Sequence, residues 1–388
     1  MHVQRTRRFL VSAVLMLTSS AFASTLYVGT CQPNSYQTIS AAVAVAASGA
    51  TIKVCPGSYP EQIVLTQAVT LEGISSNNSE QAIVVSPPNG MVVNAWDDMG
   101  DAIAAQLYVD VAPAANNKQP GPDTTVTETK ISNLIFDASN NEVQGAYVVG
   151  IFVQNSAATI NHVVTRNQIA GGYGVGIWIE GGASNPTVTA ENSSVHDFDD
   201  IGVWTQTNAT ASEVTAVISG NFVNGETAGG VIAAVGILAN RGTTDTISGN
   251  SAVNGQTGVF ISGGASGTIT KNNLVDNGAA ISIGGDGFTG GNASITNNTI
   301  MNSSVEGISV NASSLLPAVQ KNTITDCPIA VELNGNNDTS VSSNTIADSP
   351  VGLDQAPAGF SASNTYYNVG TLMTTAAGGD AAKHTGKF

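Results

Sequence analysis

One short phrase recurs down the chain: glycine, a branched residue, any residue, then another branched residue. It reads Gly150-Ile151-Phe152-Val153, Gly176-Ile177-Trp178-Ile179, Gly258-Val259-Phe260-Ile261 and Gly307-Ile308-Ser309-Val310. Weaker copies start at Gly202, Gly236, Ala280, Ala330 and Gly352. From the first branched residue of one copy to that of the next, the steps are 26, 26, 34, 22, 22, 27, 23 and 22 residues. A period of this size in strand-like sequence means a solenoid, in which each repeat buries its apolar face only against its neighbours.

Two further phrases keep the same phase. Asn-x-branched occurs at Asn167, Asn221, Asn273, Asn298, Asn322 and Asn344, with a decayed copy at Asn364. Polar-branched-polar occurs at Thr187-Val188-Thr189, Thr246-Ile247-Ser248, Thr268-Ile269-Thr270, Ser294-Ile295-Thr296 and Ser340-Val341-Ser342. Each repeat therefore holds three short strands joined by turns rich in Gly, Asn and Asp. Alternation within a strand sends one side chain inward and its neighbours outward. Three strands per coil, with coils about 4.8 Å apart, define an all-β parallel β-helix of about 9–11 coils. A propeller blade needs about 40 residues and four antiparallel strands. Helical repeats are excluded by the excess of Thr, Val and Ile over Leu, Glu and Lys. The stacked asparagines are expected to satisfy the turn backbone, because an amide both donates and accepts.

The chain divides into five parts. Residues 1–23 read as a signal peptide: Arg5, Arg7 and Arg8, an apolar run from Phe9 to Leu17 too short to span a bilayer, and a small-residue site at Ala21-Phe22-Ala23. Residues 24–73 form an N-terminal cap and first coil, with an amphipathic helix over Tyr36–Ser48 and strands at Thr51–Val54, Gln62–Leu65 and Val69–Leu71. Residues 74–130 are early coils carrying long loops, 131–368 regular coils, and 369–388 a C-terminal tail. The expected location is secreted, periplasmic or cell-surface, as a monomer without a membrane anchor. Export permits disulfides. Cys31 and Cys55 flank the helical segment and are expected to pair, which would contribute about 3 kcal/mol in the chain-entropy view. Cys327 is left as a buried thiol.

Charge narrows the partners. The formal net charge is −16, and removing Arg5, Arg7 and Arg8 leaves 9 basic against 28 acidic residues. Nucleic acid and anionic lipid, both held by Lys and Arg clusters, are excluded. A polyanionic sugar would be repelled unless a divalent cation bridged it.

The run Thr38-Ile39-Ser40-Ala41-Ala42, then Gly49-Ala50-Thr51-Ile52-Lys53-Val54, then Pro56-Gly57-Ser58-Tyr59-Pro60-Glu61 resembles the opening segment of right-handed parallel β-helix proteins of the pectin-lyase-like superfamily. The later coils are similar to that superfamily's generic repeats. The resemblance implies the fold and, as partner, a polysaccharide or cell-surface glycan. It does not select an activity, because the superfamily includes lyases, hydrolases, esterases, epimerases and non-catalytic adhesins. The polygalacturonase Gly-His-Gly and Arg-x-Lys are absent, as is the pectin methylesterase pattern.

Two acidic clusters are candidate sites. In the first, His196, Asp199 and Asp200 stand near Trp204, with Arg166 as a basic partner. Glycoside cleavage needs two carboxyl groups in different protonation states. Trp204, Trp178 and Trp96 are candidate sugar-stacking residues. The alternative is a turn, since Asp197 and its neighbours fall where other coils carry Gly, Asn or Asp. The second cluster, Asp97, Asp98 and Asp101, suits a hard cation such as Ca²⁺. Pectate lyases use such a cation together with a basic residue. Arg166 or Arg241 would fill that second role, though neither sits in a recognisable lyase motif.

Three functions follow from these readings. The first is binding, with cleavage or remodelling, of a polysaccharide by a lyase or hydrolase. The second is a non-catalytic surface or adhesin-type solenoid. The third, minor, is ice binding by the outward Thr-x-Thr array, which Ala158, Ala216, Ala318 and Gln320 are expected to interrupt.

Overall fold

A computed structural model describes residues 24–75, 81–111, 128–141, 143–181, 186–207, 214–284, 290–311, 314, 318–336, 338–376 and 383–384. The signal segment, the loop over 112–123 and most of the last residues lie outside these. The described chain winds as a parallel β-solenoid of about eleven turns. One side, sheet I, has 13 strands, of which only Ala95–Trp96 runs antiparallel. The other 24 strands make a continuous sheet folded at a bend into two sides. We call these sheets II and III. One coil shows the order: Thr187–Glu191 in sheet II, Ser194–Phe198 in sheet III, then Ile201–Gln206 in sheet I.

The glycine phrase sets the rungs of sheet I. Ile151 pairs with Ile177, then Val203, Ile237, Val259, Ile281, Ile308, Val331 and Leu353 follow in unbroken register. All nine side chains are fully buried. The leading glycine has a steric cause. A Cβ at Gly176 would lie 2.6 Å from the carbonyl oxygen of Gly202 and 2.3 Å from Val195 Cγ1. No rotamer relieves a Cβ clash, so the rung tolerates only hydrogen there.

The bend between sheets II and III is a single residue in left-handed conformation: Asn192 (φ 50°), Gly220 (65°), Gly249 (66°), Lys271 (57°), Asn297 (57°), Lys321 (57°) and Ser343 (60°) in successive coils. The next residue in each later coil is a buried asparagine. Asn221, Asn250, Asn272, Asn298, Asn322, Asn344 and Asn364 form one column. From Asn250 onward, each Oδ1 accepts from the backbone N–H and the Nδ2 of the asparagine one rung before it, at 2.9–3.0 Å, and Asn221 Oδ1 accepts from the N–H of Ser193 at 3.0 Å. Each of the six amides from Asn221 to Asn344 also donates to a core carbonyl, as Asn298 does to Ile269 O at 2.9 Å. The sequence reading needs three corrections here. Asn167 lies at the next bend (φ 63°), Asn273 is exposed, and Asn250 belongs to the column although no branched residue follows it.

The N-terminal end is closed more lightly than expected. Helix spans only Ile39–Val43, not Tyr36–Ser48, and Ile39 and Ala42 plug the first coil. Glu61 accepts from the N–H groups of Ile39 and Ser40 at 2.7 and 2.9 Å, satisfying donors at the helix start. The first strand is Thr25–Val28, beside Thr51–Val54. Gly57–Pro60, not expected as a strand, is the first rung of sheet III. Cys31 and Cys55 are joined, with Cα atoms 5.6 Å apart, and Cys327 is a buried free thiol. Ala82–Val85 and Ala102–Val109 are ordinary rungs of sheets III and I, and Thr371–Thr375 adds a final rung to sheet I.

The asparagine column yields a paired prediction. Asn298→Ala removes the partner of the Asn272 N–H, of one of its two Nδ2 hydrogens and of the Ile269 carbonyl in the core, so urea unfolding should show a loss of about 2–4 kcal/mol. Asn273→Ala removes an outward side chain one residue from the column and should cost less than about 0.5 kcal/mol. Equal losses would mean that the column is wrongly placed.

Candidate functional site

Alternation in sheet I puts two rows of side chains on its outer face. The first row is Tyr108, Phe152, Trp178, Trp204, Leu238 and Phe260, one per rung. The rings form a ladder. Tyr108 stacks on Phe152 (centroids 5.5 Å), Phe152 meets Trp178 edge-on (5.4 Å), and Trp178 stacks on Trp204 at 4.1 Å. Tyr147 packs edge-on against Trp178, Trp204 and Tyr173. Beyond Phe260 the row continues as Ser282, Ser309, Glu332 and Asp354, so the aromatic face is confined to the N-terminal half.

The second row lies two residues further along each strand: Gln154, Glu180, Gln206 and Asn240. A strap over residues 91–101 folds across it. Asn94 pairs with the backbone of Ala105 through both its amide atoms, and Gln62 does the same with Val92. Asp98 N donates to Glu180 Oε1 at 3.0 Å, and Gln154 Nε2 donates to Trp96 O at 3.0 Å. Arg241 reaches Asp98 with Nη1 at 3.4 Å. Glu180 is buried, and burial pushes its pKa up to about 8, with the adjacent Asp98 charge adding to the shift. Both rows hold unmet polar capacity. Among the described residues, the buried Nε1 of Trp178 and of Trp204 in the first row and both amide atoms of Gln206 in the second have no hydrogen-bond partner.

The residues singled out from sequence separate into three groups. His196 and Arg166 are register neighbours on the outer face of sheet III. His196 Nδ1 lies 2.7 Å from Asp197 Oδ2, and Arg166 Nε 2.8 Å from Asp137 Oδ2. Asp199 clamps a turn, accepting from the N–H groups of Ala170, Gly172 and Gly174 at 2.8–2.9 Å. Asp200 turns the other way, toward the aromatic face. Its pKa is pushed up to about 6 by burial and by Asp199. Asp97 is engaged as a turn acid, accepting from Met99 N and Asp101 N at 3.0 and 2.7 Å, and burial raises its pKa. Asp97, Asp98 and Asp101 do not converge as metal ligands. Among the described residues no three His, Cys, Asp or Glu side chains do. Both acidic clusters lie within electrostatic reach of Tyr147. The Tyr147 phenol, pushed up to about 12 first by burial, is raised further by Asp200, Asp101 and Asp97. Of the tryptophans, Trp178 is fully buried and Trp96 is 59% exposed on the strap.

Glu180, Gln154, Gln206 and Tyr147 were not singled out from sequence. The first three stand at the same offset, two residues after Phe152, Trp178 and Trp204. Aligning the copies of the glycine phrase over one more residue would have exposed them. A shallow groove of about 440 Å³ at the bend between sheets II and III, lined by His162, Asn192, Ser194 and Phe222, holds no carboxylate.

These features define a right-handed parallel β-helix with an aromatic and acidic outer face on sheet I. Residues 231–369 match the family described as right handed beta helix region. Among solved structures, a double mutant of the periplasmic alginate epimerase AlgG is similar, with 11% identity, a TM-score of 0.57, and coverage of 87% of this chain and 77% of that one. The Dettilon tailspike protein is similar at 12% identity and a TM-score of 0.56, covering 84% of this chain and 62% of the tailspike chain. At such identities the likeness is one of fold. No curated protein sequence matches the chain.

The raised pKa of Glu180 has a defined sign. Its contribution to stability is fully present below the ordinary carboxylate value of 4.5 and is lost as pH rises through about 8. Glu180→Gln removes that loss. The thermal midpoint of the variant should therefore gain on the wild type between pH 5 and pH 9. A constant difference across this window would contradict the buried, proton-bearing Glu180.

Proposed function

We propose that this chain is an exported polysaccharide-binding β-helix whose ligand lies along the outer face of sheet I, across the rungs from Tyr108 to Phe260. One observation carries the reading: an aromatic ladder in which Tyr108, Trp204 and Phe260 stay half-buried at the surface over the fully buried Phe152 and Trp178, with carboxyl groups of raised pKa on both flanks, Glu180 on one and Asp200 on the other. Sugars offer apolar ring faces and polar edges, and rows of rings beside amides and carboxyls match both. Trp96 and Tyr173, about half exposed, stand at the rim as first contacts. The concentration of acids favours a neutral polymer over a polyuronate. The name of the similar epimerase ties that protein to alginate, which is consistent with a glycan partner here.

Catalysis on this face would use Asp200 and Glu180, because a glycosidase-type reaction needs one protonated and one ionised carboxyl near neutral pH. A non-catalytic adhesin-type solenoid is the second reading. The structural use of Asp199, His196 and Arg166 favours it, as these three are held in turn and ion-pair contacts.

Affinity electrophoresis against neutral and acidic polysaccharides, with and without Ca²⁺, tests the binding. At least one neutral polymer should retard the protein, and Trp96→Ala with Tyr173→Ala should weaken that binding about tenfold, equivalent to roughly 1.4 kcal/mol. New reducing ends or unsaturated products that disappear in Asp200→Asn identify an enzyme. Binding without product identifies the adhesin. No retardation by any polymer contradicts the proposal.

A further inference from the structure

Sheet II carries a second regular surface that the glycan reading does not use. Four successive rungs, Thr215–Ser219, Thr244–Ser248, Ser266–Thr270 and Asn292–Thr296, pair without a register break. Each strand sends three side chains outward. Of the twelve outward positions, ten are Ser or Thr, one is Val217 and one is Asn292. None is charged and none is aromatic. The alanines expected to interrupt the array do not, because Ala158 and Ala216 point inward and are fully buried. Ala318 and Gln320 only mark its C-terminal edge. The acid of this region is likewise turned inward. Asp245 is buried and accepts from Thr205 and Thr243 at 2.5 and 3.0 Å.

The exclusion of charge is the informative part. A chain with 12 basic and 28 acidic residues keeps all of them off these twelve positions. Solubility alone would favour charge there. The hydroxyls are also nearly free. Their only hydrogen bonds among the described residues are Thr244 with Ser266 and Thr270 with Thr296, both at 3.3 Å. A regular face of open hydroxyls, without rings to stack on sugar and without charge to hold an ion, suits an uncharged, periodic, hydroxyl-patterned partner. Its grid sets the scale: rungs are about 4.8 Å apart and alternate residues about 6.7 Å apart along each strand, so the hydroxyls form a regular two-dimensional lattice that an ordered layer of water can follow.

We propose that the outer face of sheet II over residues 215–296 is an ice-binding surface, separate from the aromatic face of sheet I. Its hydroxyls hold a layer of water in register with the crystal, and the methyl groups of Thr and Val217 sit between the ordered waters.

Partition of the folded protein into slowly growing ice, together with inhibition of ice recrystallisation, tests this. The wild type should enrich in the ice fraction at least fivefold over serum albumin. Thr246→Lys with Thr268→Lys, which places two charges at the centre of the array, should abolish the enrichment. Val305→Lys, an exposed turn position away from the array, should leave it intact. Unchanged urea midpoints and unchanged polysaccharide retardation establish that both variants keep their fold and the sheet I face. Wild-type partition no greater than that of albumin would overturn the proposal. So would enrichment that survives the double substitution.

Discussion

The hydrogen-bonded register between successive coils is the constraint on which everything else depends. Each rung of sheet I lies directly over the last, so one inward branched residue and two outward side chains repeat along the axis. A slip of one residue in any coil would turn its core face to water. Two devices prevent slippage. The glycine at the start of the phrase fits only beneath the next rung's carbonyl, as Gly176 does beneath Gly202. The asparagine column ties each bend to the next through both side-chain amide atoms and a backbone N–H, away from competing water. Seven such residues in line make the bend cooperative, since each amide is both donor and acceptor.

The fixed register also makes the outer faces functional surfaces. A change in one repeat places a new side chain directly above its counterpart, so rows of like chemistry build up without further design. Sheet I accumulates rings over four rungs and then switches to Ser, Glu and Asp. Sheet II accumulates hydroxyls. The long insertion between Ile63–Leu65 and Ala102–Val109 is where the regular pattern is broken, and its strap covers the ringed part of sheet I. The strap brings Asp98 onto Glu180, and burial with that second acid holds Glu180 in its protonated form.

The coil was legible from sequence because a solenoid repeats its own contacts. Ile151, Ile177 and Val203 occupy one inward position, and the spacing between them is the coil itself. The asparagine column was only partly legible. Asn272 and Asn273 adjoin, and only backbone conformation shows that Lys271 makes the bend and Asn272 follows it inward. The helix was overread because Ala-rich sequence suits a longer helix than the end of the solenoid has room to cover. The candidate site was least legible. Glu180 owes its burial to residues about 80 positions earlier, and no local pattern reports that contact. Asp199 and Asp200 are adjacent in sequence but point to different tasks, one clamping the turn at Ala170–Gly174 and the other facing Tyr147.

Pulsed electron–electron resonance between spin labels at Thr189 and Ala318 tests the stacked register most directly. These outward positions are linked through Val217, Thr246, Thr268 and Ser294, six rungs separated by five spacings. The labels should give a narrow distribution centred near 24 Å, the sum of five rung spacings of about 4.8 Å. A broad distribution, or a centre beyond about 35 Å, would contradict a solenoid whose coils lie one directly upon another.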